Sequence, residues 1–308
     1  MTQPRVLVVG EALVDVVPDA DGQPRDLPGG SPANVAIALG RLGRDVRLVT
    51  LLGDDARGAA VRAWLEASGV TVLAAPTASG RTSSAAVTLD DTGAASYDFD
   101  LDWHLDEVPD EACDVLHVGS IATVLEPGAD VVLEAVRSRR GKALVSLDPN
   151  ARPAVTPDRA EPVRRVEELV TLSDLVKVSD EDLAWLHPES DPVATAARWA
   201  SAGPGLVVVT RGGAGAVAVR HDGTTLEVPG VPVVVADTVG AGDTFSGVLV
   251  DALLGLDVRS GAALRALSDR DVLGAVSTAA IGAAVNVSRP GANPPSRAEL
   301  DRALGAGE

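Results

Sequence analysis

SPANVAIALGRLGRDVRLVTLLGDDARGAAVRAWLEAS, Ser31 to Ser68, sets a helix, a strand and a second helix in a row. Ser31 and Pro32 open the first helix over Pro32 to Leu42, and Gly43 stops it. DVRLVTLL, Asp45 to Leu52, is an apolar, β-branched run of strand length, and Ala56 to Ser68 returns to helical spacing. Upstream, RVLVV (Arg5 to Val9) supplies an earlier strand. Downstream, DVLHV, ALVSL, DLVKV and LVVVT repeat the short buried type, with helical segments between them. Strands alternating with helices, and strands apolar on both faces, predict an α/β fold with a central, mainly parallel sheet covered by helices on both sides.

Two stretches break the alternation. SSAAVTLDDTGAASYDFD, Ser83 to Asp100, reads as two strands around a DDTG turn, a hairpin with no helix in it. GAVAVRHDGTTLEVPG, Gly215 to Gly230, reads as a second hairpin turning at HDG. The first is expected outside the main sheet as a lid, the second as an extension of the sheet edge. No linker, repeat or low-complexity tract divides the chain. The expectation is one domain over 1–308, with a β-lid drawn mainly from about 11–28 and 81–103.

Composition narrows the function. The chain has 308 residues, 46% of them hydrophobic, enough for a well-buried core. Aromatics are only 2%, which disfavours a nucleic-acid platform of stacked rings. A net charge of -18 repels phosphate backbones and anionic membranes, while a nucleotide's charge can still be met locally. Cys113 is the only cysteine, so neither a disulfide framework nor a thiolate metal site is expected. His104, His117, His187 and His221 are scattered without metal-ligand spacing. The opening MTQPRVLVVGEALVD lacks a basic and then apolar leader, and no stretch approaches a membrane span. A soluble cytoplasmic protein is expected.

DTVGAGDTFSG, Asp237 to Gly247, carries the sharpest chemistry. Val233 to Val235 read as a strand leading in, and the helical pattern starts at Ala241. Gly240, Ala241 and Gly242 thus fall at a helix N-terminus, where unpaired amides and the positive dipole end make an anion hole. Asp243 projects from the first turn, placed to take a proton from a hydroxyl that attacks a phosphoryl group. Alone, such an Asp is more often a helix cap. GGSPAN, Gly29 to Asn34, adds Gly29, Gly30 and the amide of Asn34; with Asp15 they suit a grip on vicinal hydroxyls, or simply a turn and cap. TRGGAGAV, Thr210 to Val217, is a Gly-rich turn after a buried strand, equally a phosphate or ribose holder and a plain hairpin turn. There is no GxxxxGK[ST], no dinucleotide fingerprint after the first strand and no GxSxG elbow.

These stretches, in this order, resemble the ribokinase-like (PfkB) family of carbohydrate kinases. The resemblance runs from VVGEALVD through GGSPANVAIALGRLG, LGDDARG, HVGSI, SLDPNARP, VKVSDEDL, VVVTRGGAGAV and DTVGAGDTFSG to AAVNVSRPGANP. GEALVD, GGSPANVA and DPNARP look most like its fructokinase branch. The resemblance implies a ribokinase-like fold with a β-lid over a sugar, and transfer of the γ-phosphate of ATP to a sugar hydroxyl. It implies Asp243 as the base, with Gly240, Ala241 and Gly242 as the anion hole. Asp15, Gly30 and Asn34 match sugar-binding positions, and Thr210, Gly212 and Gly215 the nucleotide loop. Asp237 and Val239, with the Asn286 to Gly291 segment that includes Arg289, match a monovalent-cation site, here for K+. Where the family often shows Asn-x-x-Glu, this chain has Ser179 and Asp182, which puts the handling of Mg2+ through water in doubt. Pro295 falls where some members offer the cation a side chain.

The expected function is therefore an ATP-dependent sugar kinase, foremost a fructokinase, using Mg2+ and K+. A 2-keto-3-deoxygluconate kinase, a ribokinase and a nucleoside kinase stay open. Arg152 in DPNARP could meet a sugar acid's carboxylate, or serve as a surface or capping Arg. A non-catalytic sugar-binding regulator is the reading from another class, although a pure binder needs no anion hole beside a base. Tyr97, Phe99 and Trp103 place three of seven aromatics in the lid stretch, mainly as packing, with one ring against a sugar face open. The lid's edge leaves room for a homodimer.

Overall fold

The computed structural model describes residues 3–18, 23–89 and 95–305; of 87–89 and 95–97 only the backbone is described. The strands are β1 (Arg5–Val9), β2 (Leu13–Pro18), β3 (Pro24–Gly29), β4 (Asp45–Leu52), β5 (Val70–Pro76), β6 (Ser84–Leu89), β7 (Ala95–Asp100), β8 (Val115–Gly119), β9 (Leu144–Asp148), β10 (Leu175–Ser179), β11 (Leu206–Thr210), β12 (Ala216–Arg220) and β13 (Thr225–Val228). The helices are α1 (Ser31–Arg41), α2 (Ala56–Ala67), α3 (Gly128–Arg139), α4 (Ala160–Leu172), α5 (Asp180–Leu186), α6 (Pro192–Ala202), α7 (Ala241–Gly255), α8 (Gly261–Arg265), α9 (Asp269–Val287) and α10 (Arg297–Gly305).

The main sheet has nine strands in the order β13-β12-β11-β10-β9-β8-β1-β4-β5. It is parallel from β5 to β11 and becomes antiparallel only at β12 and β13, the hairpin expected at the edge. Strand periodicity explains how two helical layers bind one sheet. Val6 and Val8 of β1 join a core with α1, α2, α7 and α9. Leu7 and Val9, their neighbours in sequence, join a second core with α3, α4, α5 and α6 on the other face. All four are fully buried, so β1 must be apolar at every position.

A second, four-stranded sheet has the order β3-β2-β6-β7. The expected DDTG turn joining β6 and β7 lies outside the described residues. Trp103 follows β7 and is 2% exposed; its indole N–H donates to Ala122 O at 3.0 Å, so this ring packs the sheet's base onto the body. Phe99 on β7 is half-buried, and the Tyr97 side chain lies outside the description.

Two details depart from the sequence reading. β5 carries a weak strand signal, since VTVLAAP is partly exposed and rich in Ala; its pairing with β4 makes it a strand. Val233 to Val235 form no strand. Pro229 and Pro232 remove amide donors just after β13, and the chain instead docks on the end of α9, with Ala236 and Asp237 N–H donating to Val287 O at 2.8 and 3.2 Å.

Candidate active site

The C-terminal ends of β9, β10 and β11 and the N-terminus of α7 converge on one cleft of about 540 Å3, on the side of the sheet where α/β folds place ligands. α7 opens at Gly240, whose φ of 72° is left-handed; a Cβ there would meet Ala292 Cβ at 2.7 Å. Only glycine turns this corner without strain. Ala241 N–H turns back to Thr238 O at 3.2 Å, so the anion-hole argument rests chiefly on the amides of Gly242 and Asp243.

Asp243 is 6% exposed. Its Oδ1 accepts from Ser31 Oγ at 2.7 Å, and its Oδ2 from Asn34 Nδ2 at 2.7 Å. Asn150 Nδ2 donates to Ser31 Oγ at 2.6 Å and reaches Asp243 Oδ1 at 3.3 Å. The first turn of α1 and the loop after β9 therefore orient the carboxylate together. Burial pushes the Asp243 carboxyl above the ordinary range, the hydrogen bonds from Ser31 and Asn34 oppose this, and Asp148 adds to the rise. A buried carboxylate with a raised pKa beside an anion hole is suited to accept a proton.

Lys177 and Asp148 lie within VKVSDEDL and SLDPNARP, but the motif reading gave neither a role. Lys177 Nζ lies 3.0 Å from Asp148 Oδ2, and Ser246 Oγ donates to the same oxygen at 2.8 Å. A Cβ on Gly242 would come within 2.8 Å of Lys177 Nζ, which places the ammonium directly under the first turn of α7. The available signal was one Lys in the apolar run DLVKV, a residue type that strand interiors exclude unless it is paired. His117 is buried nearby with Nδ1 3.0 Å from Ser146 Oγ; burial, then Lys177, lower its pKa to about 3, so the ring is neutral.

The sugar-type grip gathers on the other side of Asp243. Asp15 sits on β2, and a Cβ at Gly29 would meet its Oδ2 at 2.4 Å. Gly30 has φ +105°, and a Cβ there would strike Glu11 O at 2.6 Å. Asn34 Oδ1 is buried without a hydrogen-bond partner, an acceptor left for a ligand hydroxyl. Burial raises the Asp15 carboxyl, Arg152 opposes and Asp243 adds, so the three groups share one field. Arg152 is exposed and donates to Asn150 Oδ1 at 2.7 Å.

Ser179, Thr210, Gly212 and Gly215 all line the cleft. Gly215 has φ +93°, and any Cβ would lie 2.1 Å from Val228 O. Val233 and Val235, 39% and 58% exposed, add apolar wall opposite α9. Ser179 caps α5 by accepting from Asp182 N, while Asp182 Oδ2 accepts from Ser179 N and its Oδ1 from Ala151 N at 2.9 Å. Each oxygen keeps a lone pair, so the carboxylate can accept from a water that Mg2+ holds. Among the described residues no cluster of three or more His, Cys, Asp or Glu is arranged to hold a metal ion.

The expected K+ residues also meet behind α7. Asp237 accepts from Val239 N at 3.0 Å and from Gly291 N at 2.8 Å, and these bonds hold its carboxyl below the usual range. Fully buried Asn286 donates to Val239 O at 2.8 Å and accepts from Asn293 N at 2.8 Å. Arg289 pairs with Glu299 at 2.7 Å, so only its backbone is available to a cation. An ionised carboxylate among fixed carbonyls fits a monovalent cation.

The sequence model of the pfkB family carbohydrate kinases matches residues 3–299. A fructokinase of Klebsiella pneumoniae is 35% identical over 291 residues, covering 91% of this chain and 94% of its own length. The crystal structure of fructokinase with bound ATP from Xylella fastidiosa has a TM-score of 0.90 at 27% identity and covers 99% of both chains. A fructokinase double mutant from Vibrio cholerae O395, in fructose, ADP and potassium ion bound form, has a TM-score of 0.81 at 30% identity, covering 99% of this chain and 98% of that one.

Proposed function

The chain belongs to the pfkB family of carbohydrate kinases, and from that footing we propose that it is a fructokinase in which Asp243 is the catalytic base. It is a phosphotransferase with an alcohol group as acceptor. The observation that carries the site assignment is the double grip of Ser31 and Asn34 on the Asp243 carboxylate at the mouth of a helix N-terminus. Support for fructose comes from the relatives named fructokinase and from GEALVD, GGSPANVA and DPNARP.

Fructose enters beneath the small sheet, where Asp15 and the unpartnered Asn34 Oδ1 accept hydrogen bonds from its hydroxyls. The attacking hydroxyl gives its proton to Asp243. Its oxygen forms a bond to the γ-phosphorus of ATP as the bond from that phosphorus to the bridging oxygen breaks, and ADP leaves with that electron pair. Charge on the transferred oxygens meets the amides of Gly242 and Asp243. Thr210, Gly212 and Gly215 hold the nucleotide, with Val233 and Val235 against its base. Mg2+ would screen the phosphates and be held through water near Asp182. K+ would sit among Asp237, Val239, Asn286, Arg289 and Gly291 and stiffen the turn into α7.

A sugar-acid kinase is a second reading, favoured by one observation: Arg152 donates within its own loop, to Asn150 Oδ1 and Ala151 O, through one of its terminal nitrogens, and so has donors left for a carboxylate. No helix among the described residues is long and apolar enough to cross a membrane; we place the enzyme in the cytoplasm, with the end strands of the small sheet as the face for a second copy.

The test is ADP release from MgATP with fructose, 2-keto-3-deoxygluconate, ribose and nucleosides, with and without K+. Fructose should give the highest kcat/KM, and K+ should raise kcat. A higher kcat/KM for another acceptor sinks the fructose assignment. Tight fructose binding without ADP from any acceptor turns the chain into a sugar-binding regulator.

A further inference from the structure

One basic group in the cleft, within the VKVSDEDL stretch, has so far been given no role. Lys177 is 5% exposed, lines the cleft, and stands at the C-terminal end of β10 under Gly242. Its bond to Asp148 uses one of three ammonium donors. Asp148 is 1% exposed and is fixed in turn by Ser246 from the first turns of α7. The ammonium thus sits among Asp148, Asp182 and Asp243, each of which favours its charged form.

A buried Lys–Asp pair has little value as a staple, because an apolar pair of similar size usually serves as well. Its position gives a better reason. A phosphoryl group arriving at the α7 amides would meet three carboxylates in a protein of net charge -18. Helix amides carry only partial charge and do not match that repulsion. Lys177 is the buried full positive charge under that turn, while Arg152 acts on Asp243 from the exposed loop after β9.

We propose that Lys177 is the cation that takes up the charge of the phosphoryl group during transfer, with Asp148 as its positioning residue. This deepens the kinase reading above and rests on it. Loss of the ammonium lowers kcat and leaves the sugar grip on Asp15 and Asn34 intact. It also removes a positive charge facing Asp243, so the acid limb of kcat moves to higher pH.

The test uses the whole enzyme with MgATP and fructose. Lys177→Met should lower kcat by about 100-fold or more, with fructose affinity by calorimetry within about threefold of wild type. Because Lys177→Met strands a buried Asp148, the double variant Lys177→Met/Asp148→Asn is made as well. The double variant should recover the melting temperature lost in the single one and, because the Asp148 charge that raises Asp243 is gone as well, bring the acid limb back toward wild type, yet keep the low kcat. If kcat returns with the melting temperature, or if neither variant loses more than about threefold in kcat, the pair is a structural staple and the proposal fails. Wild-type inactivity toward fructose overturns the substrate reading alone; ATP hydrolysis without sugar then reads Lys177 through the same variants, with the same losses expected.

Discussion

The side-chain amide of Asn34 donates to Oδ2 of Asp243 at 2.7 Å, joining residues 209 positions apart in the chain. That bond ties the sugar-type grip to the base. Asn34 lies in the first turn of α1 and Asp243 in the first turn of α7, and the two helices pack side by side. Their contact is close because both carry small residues: a Cβ on Gly247 would meet Ala38 Cβ at 2.7 Å. The paired N-termini place one anion hole and one hydroxyl grip on the same edge of the sheet.

Replacing Asp243 by Asn removes the proton acceptor and keeps the shape. We expect kcat for fructose to fall by about a thousandfold, while calorimetric fructose affinity stays within about threefold. In the wild type, the raised pKa of Asp243 predicts a kcat that falls on acidification at a pH above the ordinary carboxylate range, because only the ionised form can take the proton. An Asn variant that keeps a tenth of wild-type turnover would remove Asp243 from the mechanism.

Much of this was legible in the sequence, for a definite reason. GGSPAN and DTVGAGD are local: a glycine corner, a helix start and a polar first turn are written in adjacent residues, so the motifs gave their own conformation. The alternation of apolar runs likewise gave the sheet. What stayed hidden depends on contacts between distant segments. Lys177 and Asp148 meet only because β9 and β10 are neighbours. The valines at 233–235 have strand propensity and no partner strand, so their exposure in the cleft needed the three-dimensional path past Pro229 and Pro232. Ser31 reads as a helix start, and its bond to Asp243 appears only once α1 and α7 pack.

Asn34→Asp tests the same contact from the other side. A second carboxylate against Asp243 disfavours ionisation of the pair, and the two protons then come off in coupled steps. The acid limb of kcat should shift to higher pH, while an acceptor for the fructose hydroxyl remains at position 34. A pH profile of kcat from pH 4 to 9 checks this. An unmoved limb would mean that Asn34 does not touch the base during turnover.

Glu299 links the cation region to pH. It accepts from Ser296 N at 2.8 Å and from Arg289 at 2.7 Å, and these bonds, Ser296's amide first, lower its pKa from 4.5 to about 2. A depressed carboxyl contributes stability above its unfolded pKa and loses it as pH falls toward the folded one. Glu299→Gln should lower the melting temperature at pH 7 by about 1–3 °C, with the gap closing between pH 4.5 and about 2. The same substitution frees Arg289, next to Gly291, so the K+ concentration for half-maximal kcat should rise. A gap in melting temperature that is constant with pH would contradict the assignment.

Glu11 should behave in the opposite sense. It follows β1, is 6% exposed, and accepts from Ala122 N at 3.4 Å, with Ser120 as a further hydrogen-bond partner. Burial raises its pKa from 4.5 to about 7, against the pull of Ser120 and the charge of Arg152. A raised carboxyl costs nothing below its unfolded pKa of 4.5, and erodes stability as pH climbs through about 7. The full rise corresponds to roughly 3 kcal/mol, reached above pH 7. Glu11→Gln keeps the shape and the acceptor for Ala122 without the charge. The variant should melt at nearly the wild-type temperature at pH 4.5 and several degrees above it at pH 8.5, with the crossover centred between those values. Thermal denaturation at half-unit pH steps measures this directly, and equal melting temperatures at pH 8.5 would show that Glu11 is charged at little cost in the folded enzyme.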